Sequence, residues 1–153
     1  MIKRGNNKKK KGFTLIELII VLAVMAIIAL IAIPNFAAVR DNSKVKADKQ
    51  SCETIERTVL MLVSDETVKG EGTVTVSFNA KGEIAAAAIA GDKMIGGSTN
   101  DKTGAEDVIK EALEEVKEPQ AGIEFNKEAE KANKYLITVD TEGKVEAKTI
   151  KGE

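Results

Sequence analysis

Histidine and tryptophan are absent from this 153-residue chain, and Cys52 is its one cysteine. Without imidazole, every mechanism that uses histidine as base, proton shuttle or metal ligand is excluded. One thiol cannot close an internal disulfide. With no histidine to activate it and no second cysteine, Cys52 reads as a core-filling side chain rather than a nucleophile or ligand. The chain also lacks a P-loop, a Ser-His-Asp set and zinc-ligand spacing, and the adjacent Glu114 and Glu115 point to different faces of a helix. An enzyme is therefore not expected, and no catalytic residue, metal or cofactor is assigned. Aromatic residues make up only 3% of the chain. Beyond the amino-terminal helix, Phe78, Phe125 and Tyr135 are the available stacking rings, too few for a nucleic-acid surface.

Charge is nearly balanced in total, 23 basic against 24 acidic residues, but not along the chain. Six positive charges (Lys3, Arg4, Lys8, Lys9, Lys10 and Lys11) fall within the first twelve residues, which contain no acid. The remainder carries 17 basic against 24 acidic, net −7, so it should not hold phosphate backbones tightly. From Leu18 to Ile33 sixteen consecutive residues are apolar, and from Phe13 the stretch reaches 21 residues with Glu17 as its one charge. At ~1.5 Å per residue a helix of that length spans the ~30 Å hydrocarbon core of a bilayer. The basic residues before it place the amino terminus on the cytoplasmic side and the rest of the chain outside.

A secretory signal peptide would end in an A-x-A-like cleavage site, and none occurs between Ala23 and Ala38. A plain anchor fits the length but leaves Glu17 unexplained. A carboxylate in lipid costs on the order of 2.5–3.5 kcal/mol, so it is either tolerated close to the interface or has a partner.

Residues 11–18, Lys-Gly-Phe-Thr-Leu-Ile-Glu-Leu, preceded by the basic leader and followed by the apolar run to Pro34, resemble the processing and assembly motif of type IV pilins. The resemblance covers residues 1 to about 40; beyond that it extends only to layout. It implies a leader of residues 1–12, cut after Gly12 by a membrane-embedded prepilin peptidase, and N-methylation of the new amine of Phe13. It also implies subunit assembly through Phe13, Thr14 and Glu17. Many members of that family close a carboxyl-terminal loop with a disulfide, which a single cysteine forbids here.

Physical roles can be assigned to these residues beside the resemblance. Gly12 has no side chain, so a protease can approach its peptide bond closely. Cleavage creates a positive amine on Phe13, four residues from Glu17. If helices pack in parallel with an axial stagger, Glu17 of one copy reaches the amine of a neighbour, and two charges that apolar surroundings disfavour neutralise each other. The pair then sets the stagger, much as a buried polar residue sets coiled-coil register. Thr14 reads either as a donor to a local carbonyl or as a plain first-turn residue. Pro34 should kink or locally melt the helix near residues 30–34, either as a break through which subunits pack or as a bend where the helix leaves the bilayer.

After Pro34 the pattern turns amphipathic. Val45, Cys52, Ile55, Val59 and Leu62 form one helical stripe, so the helix is expected over about 13–63 with its second half packed on a head. Residues 73–79 alternate as a strand, Lys81-Gly82 make a turn, and residues 83–90 return as a strand, although their alanine run suits a helix equally well. Residues 91–104 read as a loop. Asp92 and Asp101 in it lie too far apart for a calcium loop. Thr103 and Glu106 are spaced as a capping box for a helix over about 104–117 ending before Pro119. A brief strand at 123–125 precedes a polar segment, and a hairpin of Tyr135, Ile137 and Val139 with Val145, Ala147 and Ile150, turning at Glu142-Gly143, closes the chain.

The expected fold is α+β: a long amino-terminal helix, half apolar and half amphipathic, against a small antiparallel sheet. The expected divisions are a cleaved leader (1–12), a membrane or filament-core helix (13–34) and a globular head (35–153). The resemblance implies a structural pilus subunit, stored in the cytoplasmic membrane with its head outside and polymerised with identical copies into an extracellular filament. Prepilin peptidase and the assembly platform and motor are its partners, and adhesion, twitching motility or aggregation its use. The alternative within the same motif is a minor pilin or a pseudopilin of a type II secretion or competence system.

Overall fold

An apolar run followed by apolar residues every third or fourth position produces a single helix, α1 (Leu15–Ser64), 50 residues long. The computed structural model of the chain describes residues 12–91, 93–121 and 133–152, apart from the side chains of 34 and 35. The chain divides into two compact units, Met1–Val39 and Arg40–Glu153. In the first, the described apolar side chains of α1, from Leu15 to Val39, are all exposed. The helix runs on through position 34, so the locally melted form of the expected break is not adopted. Proline removes one backbone donor from the ladder, and the bonds on either side of it carry the helix forward.

The second unit has a conventional core. Cys52, Ile55 and Val59 on α1 are buried, with Leu62 and Val63 packed against them, as the stripe requires. They cover the inner face of a four-stranded antiparallel sheet of order β3-β2-β5-β6, where β2 is Gly72–Phe78, β3 Ile84–Ala90, β5 Lys134–Val139 and β6 Val145–Ile150. Alternation puts Val74 and Val76 inward on β2, Ala87 and Ile89 on β3, and Tyr135, Ile137 and Val139 on β5. Each fully buried Val or Ile contributes roughly 1.5–3 kcal/mol to folding. The alanine run of β3 is a strand because β2 pairs with it from Thr73↔Ala90 to Phe78↔Ile84; the partner, not the local propensity, decides. Pairing of β2 with β5, from Gly72↔Val139 to Ser77↔Lys134, joins the two hairpins into one sheet.

Both hairpin turns fall where expected and close by the same device. Asn79 Oδ1 accepts from the amides of Lys81 (2.8 Å) and Glu83 (3.1 Å), and Asp140 Oδ1 accepts from those of Glu142 (2.9 Å) and Lys144 (2.8 Å). Gly82 and Gly143 take the positive φ that each turn needs.

Two expectations are corrected. The second helix, α2, spans Lys102–Ala112 and is capped by Asp101, whose side chain accepts from Gly104 N at 2.7 Å. Thr103 lies inside the helix and does not cap it, because the carboxylate two residues earlier already holds the third helical amide. Glu106 is used elsewhere, accepting from Ile89 N at 2.8 Å on the outer edge of β3. The segment 91–104 is not all loop. Ile95–Gly96 (β4) pairs antiparallel with Val68–Lys69 (β1), a ribbon too short for alternation to reveal. The brief strand expected at 123–125 lies outside the described residues, as does Asp92.

Carboxylates from α1 bind the rest of the head to it. Asp48, 1% exposed on the inner stripe, accepts from Gln120 N (2.8 Å) and Ala121 N (2.7 Å) with its two oxygens. Glu56 accepts from Ala147 N (2.9 Å) on the outer edge of β6. Glu56 and Glu106 thus satisfy amides on the two edge strands, which would otherwise offer pairing sites to other chains. Tyr135 donates to Lys117 O (3.2 Å) and meets Phe78 edge-on, ring centres 5.9 Å apart.

Burial, aided by the nearby charges of Glu56 and Asp48, pushes the Cys52 thiol up to about 12. Near neutral pH the thiol therefore stays protonated, the unreactive form. Alkylation of Cys52 by iodoacetamide in the folded chain should run at least about 100-fold slower than in denaturant, as followed by mass spectrometry. Equal rates would mean that the stripe is open.

Candidate processing and assembly site

Residues 12–14 precede the helix, and α1 starts at Leu15. What stops the helix there is a reciprocal pair of side chains. Thr14 Oγ1 accepts from Glu17 N at 3.3 Å, and Glu17 Oε2 accepts from both Thr14 N and Thr14 Oγ1 at 2.8 Å. Thr14 is thus the residue that caps the helix and Glu17 the third residue within it, a closed capping box. The first helical hydrogen bond follows at once, Leu18 N to Thr14 O at 3.3 Å.

This arrangement resolves the two readings open for Thr14: it neither bonds a local carbonyl through its hydroxyl nor sits passively in the first turn. The Thr-x-x-Glu spacing occurs at both Thr14 and Thr103, and only the first forms the box. The signal for it was in the sequence, since nothing upstream of Thr14 offers the carboxylate that displaces Thr103 from the same role.

The box holds the Gly12–Phe13 peptide bond outside the helical ladder. Nothing lies within 4 Å of where a Cβ on Gly12 would sit, and Phe13 is 89% exposed. Backbone that lies outside secondary structure and is open on the glycine side is accessible to a protease. The carboxylate of Glu17 is half used. Oε2 takes both Thr14 donors, while Oε1 accepts no hydrogen bond among the described residues. In apolar surroundings that second oxygen would need a donor, and the ion pair expected with a neighbour's Phe13 amine is a contact between chains, beyond a single copy.

Around this site, apolar side chains are exposed on all faces of the helix, from Leu15, Ile16 and Leu18 through Leu30 and Ile33 to Phe36 and Val39. An uninterrupted apolar surface of this extent marks a membrane or a protein contact. α1 is the one helix among the described residues long and apolar enough to cross a bilayer. No group of three or more Cys, Asp or Glu side chains among the described residues is placed to hold a metal ion.

Comparisons with known proteins cover this segment and, for one relative, most of the chain. The model of the prokaryotic N-terminal methylation motif matches residues 7–33. The chain is 36% identical over 135 residues to prepilin peptidase-dependent protein A of Clostridium perfringens (strain 13 / Type A), covering 88% of this chain and 89% of that protein. No solved structure matches.

Loss of the Thr14 hydroxyl should loosen the start of the helix by about 1 kcal/mol, the usual worth of a cap. In detergent micelles Thr14→Val should therefore raise amide hydrogen exchange at Glu17 and Leu18, the amides that Thr14 holds, by roughly fivefold, with Thr14→Ser close to wild type. Unchanged exchange in Thr14→Val would show that the backbone contact to Glu17 alone holds the turn.

Proposed function

Because the chain belongs to the type IV pilin family, as a prepilin-peptidase-dependent protein with the N-terminal methylation motif, we propose that it is the structural subunit of a type IV pilus. The observation that carries this reading is Glu17. It is one carboxylate in a helix segment otherwise apolar and exposed on every side, four residues beyond the bond the peptidase cuts, with one oxygen held by Thr14 and the other left to a partner.

The basic leader and the apolar helix insert the precursor with residues 1–12 on the cytoplasmic side and the head outside. Prepilin peptidase cuts after Gly12, and methylation of the Phe13 amine keeps its positive charge. Removing the leader deletes six cations and creates one, placed at the end of the apolar segment. In a staggered parallel bundle that amine meets Oε1 of a neighbour's Glu17, and each charge removes the other's desolvation cost. Transfer of the apolar helix from lipid into a bundle of its copies gains little hydrophobically, because lipid tails are as apolar as the neighbouring helix. Packing, the ion pair and an energy-consuming assembly motor supply the difference. The resulting surface filament serves adhesion, twitching motility or aggregation. The family is one of structural proteins, and no catalytic role is assigned.

Glu17→Ala removes one partner and leaves the amine uncompensated, a loss of roughly 3–5 kcal/mol if the pair is buried. Cleavage after Gly12 should proceed normally in this variant while the yield of sheared surface filaments falls by about tenfold or more. Wild-type filament yield from Glu17→Ala would refute assembly through this pair.

A further inference from the structure

Charge changes sign where the apolar part of α1 ends. From Leu15 to Val39 the helix carries no charge except Glu17, and residues 50–153 carry 13 basic against 21 acidic side chains, net −8. The ten residues between, 40–49, run the other way, with Arg40, Lys44, Lys46 and Lys49 against Asp41 and Asp48. Asp48 is turned inward, with both oxygens on the amides of Gln120 and Ala121. Asp41 meets Arg40 at 3.9 Å with both side chains well exposed, a pair worth little. Arg40 and Lys46 are exposed and Lys44 is half-buried, and the two lysines form no ion pair among the described residues. Lys49 is engaged within the chain and is not counted with them.

Arg40 and Lys44 stand about one turn apart on one flank of α1, and Lys46 lies about 200° round the helix from Lys44. No single docking surface reaches all three, whereas a bilayer surrounds a helix that crosses it. Depth agrees with this. Leu15–Val39 is 25 residues, about 37 Å of helix, more than the ~30 Å hydrocarbon core and less than the ~40–45 Å that includes both headgroup layers. Arg40 therefore follows where the apolar segment has entered the headgroups. Helical side chains lean toward the amino terminus, here toward the bilayer, so the long stems of Lys44 and Lys46 carry their ammonium groups back to the same layer.

We propose that Arg40, Lys44 and Lys46 form a collar that binds the phosphate groups of anionic phospholipids in the outer leaflet while the subunit is stored in the membrane. This rests on the membrane-stored precursor described above. The leader, with six cations and no acid, still decides orientation. The collar sets depth: movement of α1 in either direction takes its cations off the phosphate layer, and the acidic remainder of the head is repelled by the same surface. Entry into a filament breaks these contacts, so extraction is harder from a more anionic membrane.

Amide chemical shifts of residues 40–46 in the full-length chain test this, in bicelles of phosphatidylcholine alone and with phosphatidylglycerol raised to about 30%. The shifts should move with the phosphatidylglycerol fraction, and the response should shrink at least about threefold when salt is raised from about 0.05 to about 0.5 M. Arg40→Gln with Lys44→Gln and Lys46→Gln should weaken it at least about tenfold, while Arg40→Lys with Lys44→Arg and Lys46→Arg keeps it within about twofold. Shifts that ignore phosphatidylglycerol, that persist in the glutamine variant, or that inorganic phosphate produces equally well in phosphatidylcholine bicelles overturn the proposal. A soluble gadolinium chelate separates it from the reading beneath it. Relaxation of amides 18–33 by the chelate would put α1 outside the bilayer and defeat membrane storage itself, whereas protected amides beside an unresponsive 40–46 segment defeat only the collar.

Discussion

A carboxylate in the middle of apolar surroundings must have a partner, and the amino-terminal half of this protein is organised by that requirement. Glu17 is the one charge between Phe13 and Ile33. Within a single copy, Thr14 satisfies one of its oxygens and at the same time fixes where the helix begins. The same box therefore does two things that are usually separate. It lowers the cost of carrying an acid into an apolar phase, and it keeps the Gly12–Phe13 bond out of the helix. The remaining oxygen gives the site its proposed use between copies, where a new amine four residues away in sequence becomes a countercharge at the right depth.

In the head, carboxylates serve the opposite purpose. Asp48, Glu56 and Glu106 each accept backbone amides, and so join helix to loop and helix to sheet edge rather than pair with cations. A protein without disulfides, whose single thiol lies in the core, relies on such contacts and on the packing of Ile55, Val59, Tyr135 and Ile137.

Much of the fold was legible because it follows from period and punctuation. The stripe Cys52, Ile55 and Val59, the alternation of Val74 and Val76, and the turns at Gly82 and Gly143 are local signals with local causes. What was not legible depends on contacts distant in sequence. Nothing near Asp48 announces that it faces inward, because its partners are the amides of residues 120 and 121. The joining of β2 to β5 is likewise a matter of which hairpin reaches which. Asp101 outcompetes Thr103 as a cap only because two adjacent cap signals cannot both be used. At the amino terminus, Gly12, Phe13 and Glu17 stand out by sequence alone, and the capping role of Thr14 adds the local geometry that the motif leaves unsaid.

The central claim is that cleavage creates the countercharge for Glu17. The most direct test is the amino-terminal residue and intact mass of the protein sheared from the surface of cells with and without an active prepilin peptidase. The account predicts a chain that begins at Phe13 with a methylated amine when the peptidase is active, and full-length, membrane-retained precursor when it is not. A surface form beginning at any other residue, or released equally well without the peptidase, would contradict it.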